Sequence, residues 1–119
     1  MQDFILSLDQ GTTSSRAILY DAGGKVVSTG RQPLRNAFPQ QGWVEQDPEE
    51  IWQSQMTAAQ EAMEQAGITS DSIAAIGIAN QRETTILWDA ASGEPLAQLS
   101  YLRPFFVGFR RISTYVCFG

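Results

Sequence analysis

Phe4-Ile5-Leu6-Ser7-Leu8-Asp9-Gln10-Gly11-Thr12-Thr13-Ser14-Ser15-Arg16-Ala17-Ile18-Leu19-Tyr20 is the stretch whose reading decides the fold. Phe4–Leu8 is short and apolar, as a buried strand is, and Arg16–Tyr20 reads as a second strand. The intervening Asp9–Ser15 is a polar turn rich in hydroxyls. Asp21-Ala22-Gly23-Gly24 is a hairpin signal, because glycine adopts the backbone angles such turns need, and Lys25–Thr29 follows as a third strand. Three sequential strands joined by tight turns predict an antiparallel meander.

Outward from the meander, a loop spans about Gln32 to Gln46 and holds Pro33, Pro39 and Gly42. A helix is predicted next. Asp47 suits its cap, Pro48 its first position, and Glu50 stands three residues after the cap. Glu49 and Glu50 complement the positive end of the helix dipole. Trp52, Met56, Ala59, Met63 and Ala66 recur at spacings of four and three, which places them on one face, and Gly67 ends the helix. Ile73–Ala79 is apolar throughout, the pattern of a central strand covered on both faces. Asn80–Thr85 breaks the run, Ile86–Trp88 resumes as a strand, and Asp89–Gly93 turns the chain back. Strand, strand, strand, helix, strand predicts an α/β fold: a mixed sheet with a three-strand meander and a crossover helix.

Bulk properties exclude several classes. A length of 119 residues allows one domain with one modest core, not two lobes closing over two substrates. One cysteine, Cys117, forbids an internal disulfide, and there is no histidine; both argue against a zinc site and for a reducing cytoplasm. Cys117 has no histidine to activate it and reads as an incidental thiol. A net charge of −5 argues against a general nucleic-acid binder. The start of the chain lacks the basic and apolar run of a signal peptide, and no stretch is long and apolar enough for a membrane helix. Acidic residues end at Glu94, whereas the remainder carries Arg103, Arg110 and Arg111 and six aromatic residues. The composition therefore shifts near residue 97. The expected organisation is a family-like segment over 1–97 and an atypical tail over 98–119.

Two segments carry chemistry. In the first, Asp9 closes a strand and can hold a hydrated magnesium ion, a cation that prefers oxygen ligands. Gly11 lets the backbone approach a phosphate. Thr12, Thr13 and Ser14 offer amide and hydroxyl donors, and Arg16 adds charge. An ordinary polar hairpin is the competing reading, and no Gly-x-x-x-x-Gly-Lys loop is present. In the second, Asn80-Gln81-Arg82-Glu83-Thr84-Thr85 stands at the end of an apolar strand, where α/β sheets tend to place ligands. Arg82 donates and Glu83 accepts, a pairing that suits a vicinal diol; a solvated charged turn competes with it. Trp43 and Trp52 read as packing residues.

Leu8–Arg16, Gly42-Trp43-Val44-Glu45-Gln46-Asp47-Pro48, Ile73–Ile78 and Asn80–Thr85 together resemble the FGGY carbohydrate kinases, most closely the branch acting on glycerol, over roughly residues 4 to 97. The resemblance implies a fold of the ribonuclease H-like, actin and sugar-kinase type, of which this chain is part of the N-terminal domain, with two such domains flanking a cleft. It implies ATP and Mg2+, with Asp9 near the metal and Thr12, Thr13, Ser14 and Arg16 facing the phosphates. Arg82 and Glu83 would hold the hydroxyls of glycerol. The γ-phosphoryl group of ATP would pass to a terminal hydroxyl, giving sn-glycerol 3-phosphate. The general base is expected from a later aspartate that these residues do not include, so no catalytic base is assigned and the chain alone is expected to be inactive. Family members continue past the Gly93 turn with a tryptophan-bearing strand and an arginine pair. Here Gln98–Phe106 has no tryptophan, for which a frameshift or truncated reading frame is the first explanation and a genuine divergent tail the alternative. Another sugar kinase, or a non-catalytic nucleotide-binding module on the same fold, are the alternatives.

Overall fold

A computed structural model of the chain describes residues 3–39, 41–42, 44–81, 84–100 and 116–117. The meander forms as expected, with longer strands: β1 (Phe4–Gln10), β2 (Ser14–Tyr20) and β3 (Val26–Pro33). Both pairings are antiparallel, setting Leu6 opposite Leu19, Asp9 opposite Arg16, and Ala17 opposite Gly30. The β2–β3 turn is closed by Asp21, whose Oδ1 accepts the N–H groups of Gly23 and Lys25, each at 2.9 Å. The helix α1 runs over Pro48–Ala66, with Glu49 and Glu50 in its first turn. It stops at Gly67, where φ is 66°. A short 3-10 turn, Ser70–Ser72, leads into β4 (Ile73–Ala79), which pairs in parallel with β1. The sheet order is β3-β2-β1-β4, so α1 lies within a crossover between parallel strands.

Side chains alternate across the sheet. Phe4 and Leu6 of β1, Ala17 and Leu19 of β2, and Ser28 of β3 are buried on one face. From α1, Ser54, Gln55, Ala58, Ala59 and Ala62 are buried against it. Leu19 is fully buried, a transfer worth about 1.5–3 kcal/mol. The helix approaches closely because its inward residues are small and because β3 has Gly30 beneath it. A Cβ at Gly30 would stand 1.9 Å from the carbonyl oxygen of Ala58. Ser28 Oγ donates to the Ala62 carbonyl at 2.6 Å, one turn further along.

Two expectations are corrected. The Trp52–Met56–Met63 line is not the buried face: Trp52 is 58% exposed, and Met56 and Met63 are only half-buried. Periodicity found the bulky apolar line, but the contact at Gly30 admits only small residues. Ala58 and Ala62 therefore turn inward, and the bulky line lies roughly 120–160° around the helix from Ala58. Ala59 and Ala66 do join or flank the core. Nor is β4 covered on both faces. Among the described residues it is an edge strand, with Ile76 58% and Ile78 76% exposed.

The chain divides into two compact units. One holds β1 to β4 and most of α1; the other holds the 35–48 loop and a separate three-stranded sheet. In that sheet β5 (Thr84–Trp88) pairs antiparallel with β6 (Pro95–Ser100) and with β7 (Val116–Cys117). The β5–β6 turn is organised by Asp89, as the sequence indicates. Its Oδ1 accepts the Ser92 N–H at 2.8 Å, the Ser92 hydroxyl at 3.0 Å and the Ala91 N–H at 3.0 Å. These donors, Ser92 N–H foremost, hold the Asp89 carboxyl below its ordinary range. In the 35–48 loop, Ala37 and Glu45 exchange backbone hydrogen bonds, each 2.8 Å.

Gly30→Ala is expected to lower the stability of the β1–β4 unit by about 1–3 kcal/mol, because backbone must move to admit the methyl group. Gly77→Ala, where a Cβ meets nothing within 4 Å, serves as the control and is expected to have no destabilising effect. Urea unfolding of the two variants checks the pair.

Candidate functional site

The β1–β2 turn is tight. Gly11 N–H donates to the Ser14 carbonyl at 2.9 Å, and a Cβ at Gly11 would stand 3.0 Å from that same oxygen. The Gly11 N–H is thus committed within the turn, so the glycine's contribution is to let the turn close. Thr12 and Thr13 are exposed at its tip and Ser14 is half-buried. The Thr13 carbonyl accepts the Leu34 N–H at 2.9 Å, tying the turn to the end of β3.

Beneath the turn runs a row of hydroxyl and amide groups. Ser15 Oγ donates to Gln10 Oε1 at 2.9 Å and stands 2.6 Å from Ser54 Oγ on α1. Each hydroxyl has one proton. With the Ser15 proton on Gln10, the short contact is a donation from Ser54, and the Ile51 carbonyl at 2.9 Å is its alternative acceptor. Gln10 Nε2 donates to the Gly11 carbonyl at 3.1 Å, so the relay reaches the turn itself. Gln55, also buried on α1, donates from Nε2 to the Arg16 carbonyl at 3.0 Å. Its Oε1 is buried without a hydrogen bond among the described residues. Helix and turn are therefore joined by side chains on both sides of Ser15. Ser15, Ser54 and Gln55 were not singled out from the sequence. Their signal, three polar residues on faces that must be buried, became visible only once the register was known.

On the opposite face of the sheet, Asp9 and Arg16 are directly paired across the strands, Arg16 Nη2 donating to Asp9 Oδ2 at 2.5 Å. Both side chains are substantially exposed, so this pair alone contributes little stability. Asp9 Oδ1 makes no hydrogen bond among the described residues. No cluster of three or more metal-ligating side chains occurs among them either. The donor set fits a cation that keeps most of its water and takes one carboxylate, as magnesium does, and not a closed metal cage.

The second candidate segment is reached through Gln81. Gln81 Nε2 donates to Gln46 Oε1 at 2.8 Å, and Gln46 Nε2 donates to Asn36 Oδ1 at 2.6 Å. Both glutamines are buried, so the residue preceding Arg82 is anchored to the 35–48 loop. Arg82 and Glu83 themselves, like Trp43, lie outside the described residues.

Residues 4–100 match the N-terminal domain of the FGGY family of carbohydrate kinases. The chain belongs to this family. Among curated relatives, the glycerol kinase of Alkalilimnicola ehrlichii is 62% identical over 92 residues, which are 77% of this chain and 19% of that protein. Among solved structures, Plasmodium falciparum glycerol kinase with ADP matches with a TM-score of 0.67 at 32% identity, covering 83% of this chain and 20% of that one. A gluconate kinase from Lactobacillus acidophilus matches with a TM-score of 0.70 at 27% identity, covering 84% and 20%. The chain thus spans about a fifth of the length of the relatives it matches. The FGGY match bears out the mixed α/β, ribonuclease H-like reading of the β1–β4 sheet and α1. Among the described residues no helix is long and apolar enough to cross a membrane.

Ser54→Ala removes the donor to Ser15 and is expected to lower stability by about 1 kcal/mol. Ser15→Ala strips both Gln10 Oε1 and Ser54 of their partner and is expected to cost about 1–3 kcal/mol. Hydrogen exchange at the Gly11 amide is expected to quicken in both variants ahead of global unfolding.

Proposed function

We propose that this chain carries the phosphate end and the polyol end of a glycerol kinase site. The reaction would transfer the γ-phosphoryl group of ATP to a terminal hydroxyl of glycerol, giving sn-glycerol 3-phosphate. The observation that carries this reading is the Asp9–Arg16 pair set beside an exposed Thr12–Thr13 tip, on a hairpin fastened from below by α1. The 62% identity to a glycerol kinase supports glycerol over gluconate or a pentulose.

In this proposal Thr12, Thr13 and Ser14 donate to phosphate oxygens, and Arg16 supplies charge. Without an anion, Arg16 is held by Asp9. An incoming phosphate would compete for the guanidinium and free the Asp9 carboxylate, the group that would hold magnesium. The ion, when bound, would neutralise charge on the phosphates. Arg82 and Glu83 take the hydroxyls of glycerol, donor and acceptor to neighbouring oxygens. Such a reaction depends on positioning and charge stabilisation more than on covalent chemistry. No general base is assigned among these residues, so the 119-residue chain alone is proposed to bind nucleotide without turnover. The tail expected over 98–119 is proposed to be foreign to the family beyond Ser100, where the family match ends, and a cytoplasmic location rests on the lone cysteine.

The test is a chimera in which residues 4–97 replace the matching segment of the A. ehrlichii glycerol kinase, assayed for glycerol-dependent ADP release beside the chain alone. The chimera is expected to turn over and the chain alone to release no ADP. Asp9→Ala in the chimera is expected to lower kcat by about a hundredfold with the fold intact. Glu83→Gln is expected to raise the glycerol KM or lower kcat with the ATP KM nearly unchanged. Near-normal turnover in the Asp9 variant removes that assignment; a change confined to the ATP KM in the Glu83 variant means the two ends are reversed.

A further inference from the structure

We propose that Arg31 is the second arm of a polyphosphate clamp, with Arg16 as the first and Ser14 between them. The register sets three charged residues in one row across the sheet: Asp9 opposite Arg16 across β1–β2, and Arg16 opposite Arg31 across β2–β3. Alternation puts all three on the face turned away from α1, whose own side holds Ser15, Ala17 and Gly30. Directly opposed side chains have Cβ atoms about 4.5–5.5 Å apart, and like charges so placed repel. The row has two cations and one anion. Asp9 takes Arg16. Arg31 meets no carboxylate among the described residues. Its Nε donates to Ser14 Oγ at 3.3 Å, and its two terminal nitrogens make no hydrogen bond there. Glu61 is engaged elsewhere, accepting the backbone N–H of Arg31 at 3.1 Å and Gln32 Nε2 at 3.2 Å.

Two exposed guanidinium groups on adjacent strands, one bonded to a serine hydroxyl of the turn, carry one positive charge more than Asp9 offsets and make a site for an anion with several oxygens. A guanidinium donates from a planar fork, which matches phosphate oxygens in pairs. A polyphosphate is long enough to engage both arms and relieves their repulsion. The ligand class is the phosphate chain of a nucleoside triphosphate, so the inference rests on the proposal that the β1–β2 turn takes nucleotide. The sequence gives no hint of it. A third strand ending at Thr29 leaves Arg31 outside it, whereas β3 runs on to Pro33 and brings Arg31 into register with Arg16.

The experiment is calorimetric titration of the full 119-residue chain with tripolyphosphate and, separately, with ATP. Arg31→Gln and Arg31→Lys are measured beside the parent chain, with circular dichroism melts to confirm equal folding. Arg31→Gln is expected to weaken binding of both probes about tenfold, and Arg31→Lys to recover part of the loss because it keeps the charge but not the fork. Equal affinity of the parent chain and Arg31→Gln for ATP overturns the clamp and leaves the nucleotide reading standing. Failure of the parent chain to bind either probe overturns both. Tripolyphosphate binding that depends on Arg31, with no ATP binding, supports the clamp and removes the nucleotide reading.

Discussion

The approach of α1 to the sheet at Gly30 is the constraint on which the rest of the β1–β4 unit depends. No side chain fits between the Gly30 Cα and the Ala58 carbonyl. That single close contact selects alanines for the inward helical positions and brings the Ser28 hydroxyl within reach of the Ala62 carbonyl. It also lowers Ser54 and Gln55 onto Ser15 and the Arg16 backbone. A bulkier interface would lift the helix, and the buried hydroxyl contact at 2.6 Å would be among the first lost. The hairpin turn is then positioned by packing on the neighbouring strand, β3. Backbone bonds add the Gly11–Ser14 closure and the tie from the Leu34 N–H to the Thr13 carbonyl.

Much of this architecture was legible in the sequence, and the reasons differ by element. Turn chemistry identified the meander, because Asp21 and the glycines after it have few other uses. The cap signals at Asp47 and Pro48 identified the start of α1, and Gly67 its end. The buried helix face was not legible. Hydrophobicity ranks Trp52 and Met56 above Ala58, and only the tertiary contact at Gly30 reverses that order. The apolar run Ile73–Ala79 correctly gave a strand but not its surroundings, since composition states what a strand requires and not what the described residues supply. The end of β3 was misread because Gly30 and Arg31 have weak strand preference, while pairing to β2 carries the strand through them.

The candidate site divides along the same line. Asp9, Thr12, Thr13, Ser14 and Arg16 are contiguous, so a reading of motifs could collect them, and the structure brings Asp9 and Arg16 into direct contact. Ser54 and Gln55, which hold the turn from below, stand 39 positions from their partners Ser15 and Arg16 and could not be collected that way. Membership of the FGGY family agrees with the motif reading, whereas the supporting row and the Arg16–Arg31 opposition are matters of register. Exposed functional groups on a tightly packed base are what a phosphate site requires: donors at the surface, and little reorganisation when the anion arrives.

The most direct measurement of the central claim is a nitrogen-15 nuclear magnetic resonance titration of the labelled chain with ATP and magnesium. The account predicts the largest shifts at the amides of Gly11, Thr12, Thr13 and Ser14, with smaller ones at Ser15 and Ser54 through the relay beneath. Saturable binding that leaves those four amides unmoved and shifts the β5–β6 hairpin instead would contradict it.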